Sequence, residues 1–230
     1  MCIVEMNYYR LIFFVFTILL SGCNNTVGNM ELKGKVIDET TKTPIPNISV
    51  MIQALYQSED STSYIYAGDF TTDSSGCFTY RLKKVKSTSF YNFCIEGNRA
   101  YAESNKLLGL SDLNTYGKFL SFEVSRVVDL TLKIDRVSQT PFRDTLTVTW
   151  KTNGDDGLTF YPYKIENYCI NSENGLLWIG GNVKSAVKTK VYADKNTIVN
   201  WELLRDGKHT HIIDTIFCIR DAVNSVYFKY

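Results

Sequence analysis

From Leu32 onward, apolar and polar residues alternate with a period of two, in short runs separated by turn residues. Such alternation puts one side of each run against a core and the other in solvent, which predicts half-buried strands. The clearest case is Thr145 to Lys151, where Leu146, Val148 and Trp150 interleave with Thr145, Thr147 and Thr149. Ile48 to Ala54 reads the same way, and further strands are predicted at 32–38, 64–71, 77–82, 90–95, 119–124 and 129–134. A second set follows at 164–170, 176–179, 187–192, 197–204, 209–219 and 226–230. Pro44 and Pro46 make 41–47 a loop, and Asp73-Ser74-Ser75-Gly76 is a turn with glycine where φ turns positive. Asp206-Gly207 predicts a hairpin between 197–204 and 209–219, and the turn signals at 153–157 predict another, joining 145–151 to a strand from Leu158. Only 100–118 breaks the pattern; there Leu107, Leu108 and Leu110 predict the apolar side of a short helix over 104–113. A change of register near Pro141 divides the strands into two sets. The predicted fold is all-β: two antiparallel β-sandwich domains in tandem, over 31–135 and 141–230, with Trp150 and Trp201 as core anchors of the second. Strand number and spacing in 141–230 suggest a sandwich of immunoglobulin or fibronectin type.

Composition agrees. Fifteen Tyr and thirteen Phe favour strands, and a hydrophobic content of 44% supplies real cores. The formal charge is only +1, with no basic stretch interleaved with aromatics, so nucleic acid is not an expected partner. Upstream of the strands, Arg10 precedes an apolar run from Leu11 to Leu20 that is too short to span a bilayer. The string Leu20-Ser21-Gly22-Cys23 that follows it resembles the lipobox of bacterial lipoproteins. That resemblance implies a signal peptide over 1–22, lipidation of Cys23, and a short polar tether over 23–30, with the membrane as partner through the lipid. Asn24 is not the aspartate that retains some lipoproteins at the inner membrane, so the outer membrane is expected. Residues 24–30 lack an acidic cluster of the surface-export kind, which favours the periplasmic face over the cell surface.

The string Gly34-Lys35-Val36-Ile37-Asp38, then Thr43-Pro44-Ile45-Pro46-Asn47-Ile48-Ser49-Val50, then Thr71-Thr72-Asp73-Ser74-Ser75-Gly76-Cys77-Phe78, resembles the carboxypeptidase-regulatory-like family. Asn47 stands where that family usually has glycine, and asparagine tolerates the left-handed geometry such a turn needs. The resemblance covers about residues 31–135. It implies a seven-stranded, transthyretin-like sandwich that accompanies exported bacterial proteins and performs no catalysis.

Candidate chemistry is sparse. Apart from Cys2 and Cys23 there are four cysteines, Cys77, Cys94, Cys169 and Cys218. In an exported protein these make either one bridge per domain, Cys77–Cys94 and Cys169–Cys218, or four free thiols buried as small apolar residues. His209 and His211 are the only histidines; on a strand they share a face, but no third histidine and no His-Glu-x-x-His completes a zinc site. Neither Asp155-Asp156 nor Asp69 with Asp73 has the ligand spacing of a calcium loop. There is no Gly-x-Ser-x-Gly and no phosphate loop, so no catalytic residue, metal or cofactor is expected. Aromatic residues gather at Phe160 to Tyr163 and in the group Tyr56, Tyr64, Tyr66 and Phe70, either as core or as platforms for sugar rings, with Tyr161 and Tyr163 the candidate glycan platform. Asp60-Ser61-Thr62, Asp144-Thr145-Leu146 and Asp214-Thr215-Ile216 are similar to the acceptor motif of Bacteroides-type O-glycosylation, making Ser61, Thr145 and Thr215 candidate acceptors. The expected role is a non-catalytic envelope lipoprotein of a Bacteroidota-like bacterium, acting through its β-sandwich surfaces on a protein or glycan ligand. One alternative is a glycan-binding accessory of a nutrient-uptake system; another is an enzyme with an unrecognised site in 141–230.

Overall fold

The computed structural model describes residues 28–57, 61–115, 119–136, 144–152, 161–167, 170–172, 175–179 and 183–230. Cys23 with its lipobox, Cys169, Phe160, Asp155-Asp156 and the turn at 153–157 lie outside the described residues. Among the described residues, no helix is long and apolar enough to cross a membrane.

The first sandwich contains β1 (Asn29–Asp38), β2 (Ser49–Gln57), β3 (Thr62–Thr71), β4 (Cys77–Lys83), β5 (Phe90–Ile95), β6 (Ser104–Gly109) and β7 (Leu120–Val124), with a helix α1 (Leu110–Thr115) before β7. One sheet has the order β4-β1-β7 and the other β3-β2-β5-β6. Every ladder is antiparallel except β1 with β7, which is parallel. The alternation seen in the sequence puts Leu32, Val36, Val50, Ile52, Phe93 and Phe122 into the core between the sheets. Phe70 and Phe78 stack across it at 4.2 Å. Both anticipated turns form: Asn47 has φ 57° and Gly76 φ 72°, and Asp73 Oδ1 accepts the N–H groups of Ser75 and Cys77.

Residues 104–109 are a strand where a helix was expected. They form a six-residue ladder with β5, and the helix starts only at Leu110. An isolated helical turn does not hold by itself, whereas a strand satisfies the open edge of β5 along its whole length. Leu107 and Leu108 therefore face opposite sides.

The second sandwich contains β8 (Val127–Asp135), β9 (Thr145–Thr152), β10 (Lys164–Glu166), β11 (Ile170–Ser172), β12 (Gly175–Ile179), β13 (Lys184–Tyr192), β14 (Lys195–Arg205), β15 (Lys208–Cys218) and β16 (Asn224–Lys229). Its sheets run β10-β13-β8-β16 and β11-β12-β9-β14-β15. The strand expected to close the first sandwich at 129–134 instead opens the second. Its inward side chains Leu130, Leu132 and Ile134 pack with Val187, Val191 and Phe228. Residues 164–170, expected as one strand, split between the two sheets, with Asn167 at φ 63° where the chain leaves β10. β9 is flanked by β12 and β14, and the hairpin expected across 153–157 to Leu158 falls outside the described residues. The β14–β15 hairpin forms as expected, with φ 48° at Asp206 and 73° at Gly207, a type I′ turn. Trp150 and Trp201 are both core residues, joined there by Trp178, and the Trp201 ring stacks on Phe228 at 4.5 Å.

Two residues, Ser125 and Arg126, separate the sandwiches, and both are pinned. Ala102 N–H donates to Ser125 C=O, and Ala193 N–H donates to Arg126 C=O. Ala102, Val127 and Tyr192 form a small apolar cluster at the junction. Beside it Arg220 forks between the sandwiches, pairing with Asp38 at 3.0 Å and Asp194 at 3.0 Å, while Lys195 pairs with Glu39 at 3.2 Å.

Candidate recognition surface

The outer face of the β3-β2-β5-β6 sheet is built from residues that alternate with the core positions. Register places them in rows across the strands. One row is Tyr66, Gln53, Asn92 and Leu107, and the next is Tyr64, Leu55 and Phe90. A third is Asp69, Met51, Cys94 and Asn105. Neighbouring strands lie about 4.8 Å apart, so each row is a nearly flat step of the same surface. Tyr64, Tyr66, Phe90 and Leu107 are 56%, 62%, 40% and 52% exposed. A contiguous set of large apolar groups left in solvent marks an interaction site far better than the same residues scattered singly.

The arrangement depends on a β-bulge. Ile52 pairs with Gly68, but Gln53 pairs with Tyr66, so Ala67 is an extra residue on β3. A bulge moves everything beyond it to the opposite face. Phe70 and Gly68 therefore face the core, while Tyr66 and Tyr64 face out. Strict alternation would have put all four on one side.

The polar groups of the face are held in place. Asn92 Nδ2 donates to Gln53 Oε1 at 3.4 Å and lies 3.2 Å from Cys94 Sγ, and that thiol donates to Gln53 Oε1 at 3.3 Å. The Tyr66 hydroxyl donates to Asp69 Oδ1, and the hydrogen bond raises its pKa. Burial raises the Cys94 thiol above its ordinary value. Aromatic faces beside two amides offer apolar contact and hydrogen bonds together, with a single carboxylate at the margin.

Of the two arrangements expected, the Cys77–Cys94 bridge is not formed; among the described residues, Cys77, Cys94 and Cys218 are free thiols. Phe78 and Phe93 point inward on β4 and β5, so the adjacent Cys77 and Cys94 project from the outer faces of opposite sheets. Sheets packed about 10 Å apart put these thiols beyond the reach of a disulfide. Cys218 is buried beside Thr197, and its expected partner Cys169 lies outside the described residues. Tyr161 and Tyr163 are 83% and 53% exposed, at the edge of the β10-β13-β8-β16 sheet, where Lys190 lies over the Tyr163 ring at 5.8 Å. Tyr56 projects on the opposite side from Tyr64 and Tyr66. His209 and His211 share the outer face of β15, opposite Leu204 and Glu202. Of the candidate acceptors, Ser61 and Thr215 are exposed and Thr145 is half-buried on the central strand β9.

No family model matches the sequence, and no curated protein matches it. Among solved structures, the chain is similar to the shaft pilin spaA from Lactobacillus rhamnosus GG, with a TM-score of 0.33, 14% identity, and coverage of 89% of this chain and 98% of that one. It is also similar to a streptococcal ancillary pilin, with a TM-score of 0.33, 13% identity, and coverage of 90% and 63%. A candidate adhesin from Bacteroides ovatus ATCC 8483 gives a TM-score of 0.30 at 7% identity, covering 86% of this chain and 93% of that one.

Proposed function

We propose that this chain is a non-catalytic binding module of the bacterial envelope, held at the outer membrane by lipid on Cys23, with the outer face of the β3-β2-β5-β6 sheet as its recognition surface. The observation that carries this reading is the exposed run of Tyr64, Tyr66, Phe90 and Leu107 around the Asn92–Gln53 amide pair. A rigid sheet face presents such groups already ordered, so binding costs little conformational entropy. The amides favour a neutral glycan, whose hydroxyls they pair with while the tyrosine rings take the apolar sides of its sugars. The aromatic and aliphatic groups alone would equally fit the centre of a protein interface.

The test is retention of the full-length chain on a panel of immobilised neutral glycans, with Tyr64→Ala and Tyr66→Ala variants beside it. Each substitution is expected to weaken retention by about tenfold or more, for a loss of about 1–3 kcal/mol. Failure of every neutral glycan to retain the wild-type chain would overturn the glycan assignment. Retention unchanged in both variants would overturn the site.

A further inference from the structure

The outer face of the β10-β13-β8-β16 sheet has a different chemistry from the face just described. It gathers six lysines, Lys133, Lys164, Lys184, Lys188, Lys190 and Lys229, against three carboxylates, Asp129, Asp135 and Glu166. Each carboxylate already has a partner: Lys190 pairs with Asp129 at 2.7 Å, Lys164 with Glu166 at 3.3 Å, and the Tyr227 hydroxyl donates to Asp135 at 2.7 Å. Among the described residues, Lys133, Lys184 and Lys188 form no ion pair. A chain whose formal charge is only +1 thus concentrates its surplus of cations on one sheet face.

These three lysines are arranged around a small residue. Lys133 lies opposite Ala186, and Lys184 and Lys188 flank Ala186 two residues away on the same side of β13. Where Ala186 leaves room there is a depression of about 330 Å³, bordered by Lys133, Lys184, Asp135, Glu166, Asn167 and Tyr227. Tyr227 is 51% exposed, with Lys229 5.0 Å from its ring centre.

We infer that this face binds an acidic polysaccharide, with Lys133, Lys184 and Lys188 meeting its carboxylates and Tyr227 and Tyr163 lying against its sugar rings. The lysines are spread along and across strands instead of converging on one point. Their spacing, about 5–8 Å between neighbours on a sheet face, suits charges repeated along an extended polymer better than a single small anion. An anionic membrane is the less favoured partner. Among the described residues, the large apolar groups exposed on this face are tyrosines, with no aliphatic wedge for the acyl region.

The experiment measures binding of the full-length chain to polygalacturonate, with neutral dextran and phosphatidylglycerol vesicles as parallel probes. Retention on polygalacturonate is expected, falling steeply as salt screens the charges. Lys133→Glu combined with Lys184→Glu is expected to reduce affinity at least about tenfold, Lys133→Arg to keep it, and Lys35→Glu on the first sandwich to leave it unaltered. An unchanged melting temperature confirms that the double variant is folded, as its exposed positions predict. Tyr64→Ala and Tyr66→Ala should not alter this binding, which separates it from the other face. No binding at low salt, equal binding by the double variant, or stronger capture by the vesicles than by polygalacturonate would each overturn the inference.

Discussion

Asp38 ends the first strand, is fully buried, and faces Arg220 from the other sandwich. Burial pushes its carboxyl up, but hydrogen bonds from Arg220 and from the N–H groups of Thr41 and Thr40, together with the Arg220 charge, win and hold the pKa at about 2. Its folded value lies below the unfolded one. Its stabilisation is therefore complete above about pH 4 and lost as pH falls through about 2. Arg220→Ala should cost about 2 kcal/mol at neutral pH and flatten the acid limb of the stability profile, read by denaturant unfolding across that range. A variant as stable as the wild type at pH 7 would contradict this. The thiols give a second residue-scale prediction: in the native chain without reductant, Cys77 and Cys94 should both be alkylated. Cys94 should react more slowly near pH 8, because its raised pKa leaves less thiolate. The inward phenylalanines beside these cysteines were legible in the sequence, so the outward direction of each thiol was too. Which sheet each strand joins was not, because that is set by pairing with strands far away in the chain.

At the scale of elements, most strands follow from period-two alternation, and the exceptions have local causes. Tyr64, Tyr66, Gly68 and Phe70 alternate without a break in the sequence, and nothing in that spacing separates the tyrosines from the core. The bulge separates them, and its one sequence signal is Gly68, which has φ 140°. A side chain there would also run into the Tyr80 hydroxyl. Gly68→Ala should therefore destabilise the first sandwich by about 2–3 kcal/mol. In a Tyr80→Phe background, where the obstructing oxygen is gone, the loss should be smaller; thermal unfolding of the three variants checks it, and equal losses in both backgrounds would contradict the steric cause. The helix expected over 104–113 misread a leucine cluster whose two members on β6 sit on opposite faces of an edge strand. An open neighbouring strand overrode the local preference.

Across the whole molecule, the two sandwiches close alike. In each, the last strand lies parallel to the first, β7 beside β1 and β16 beside β8. This shared plan left no repeat in the sequence, and the parallel pairing moved the boundary between the sandwiches to Ser125-Arg126. Formal charge was equally uninformative about the surface, since the total of +1 hides a lysine face on the second sandwich and an almost uncharged aromatic face on the first. The pinned junction holds these faces in fixed relation, which suits the proposed recognition by preformed surfaces. For the proposed occupation of the aromatic face by ligand, the chain carries its own reporters. Cys94 lies in a row of that face, and Cys77 projects from the outer face of the opposite sheet. The decisive measurement is the alkylation rate of each thiol with and without a neutral glycan that retains the chain. Slowing at Cys94 with an unchanged rate at Cys77 is the expected result; an unchanged rate at Cys94 would contradict the assignment of this face.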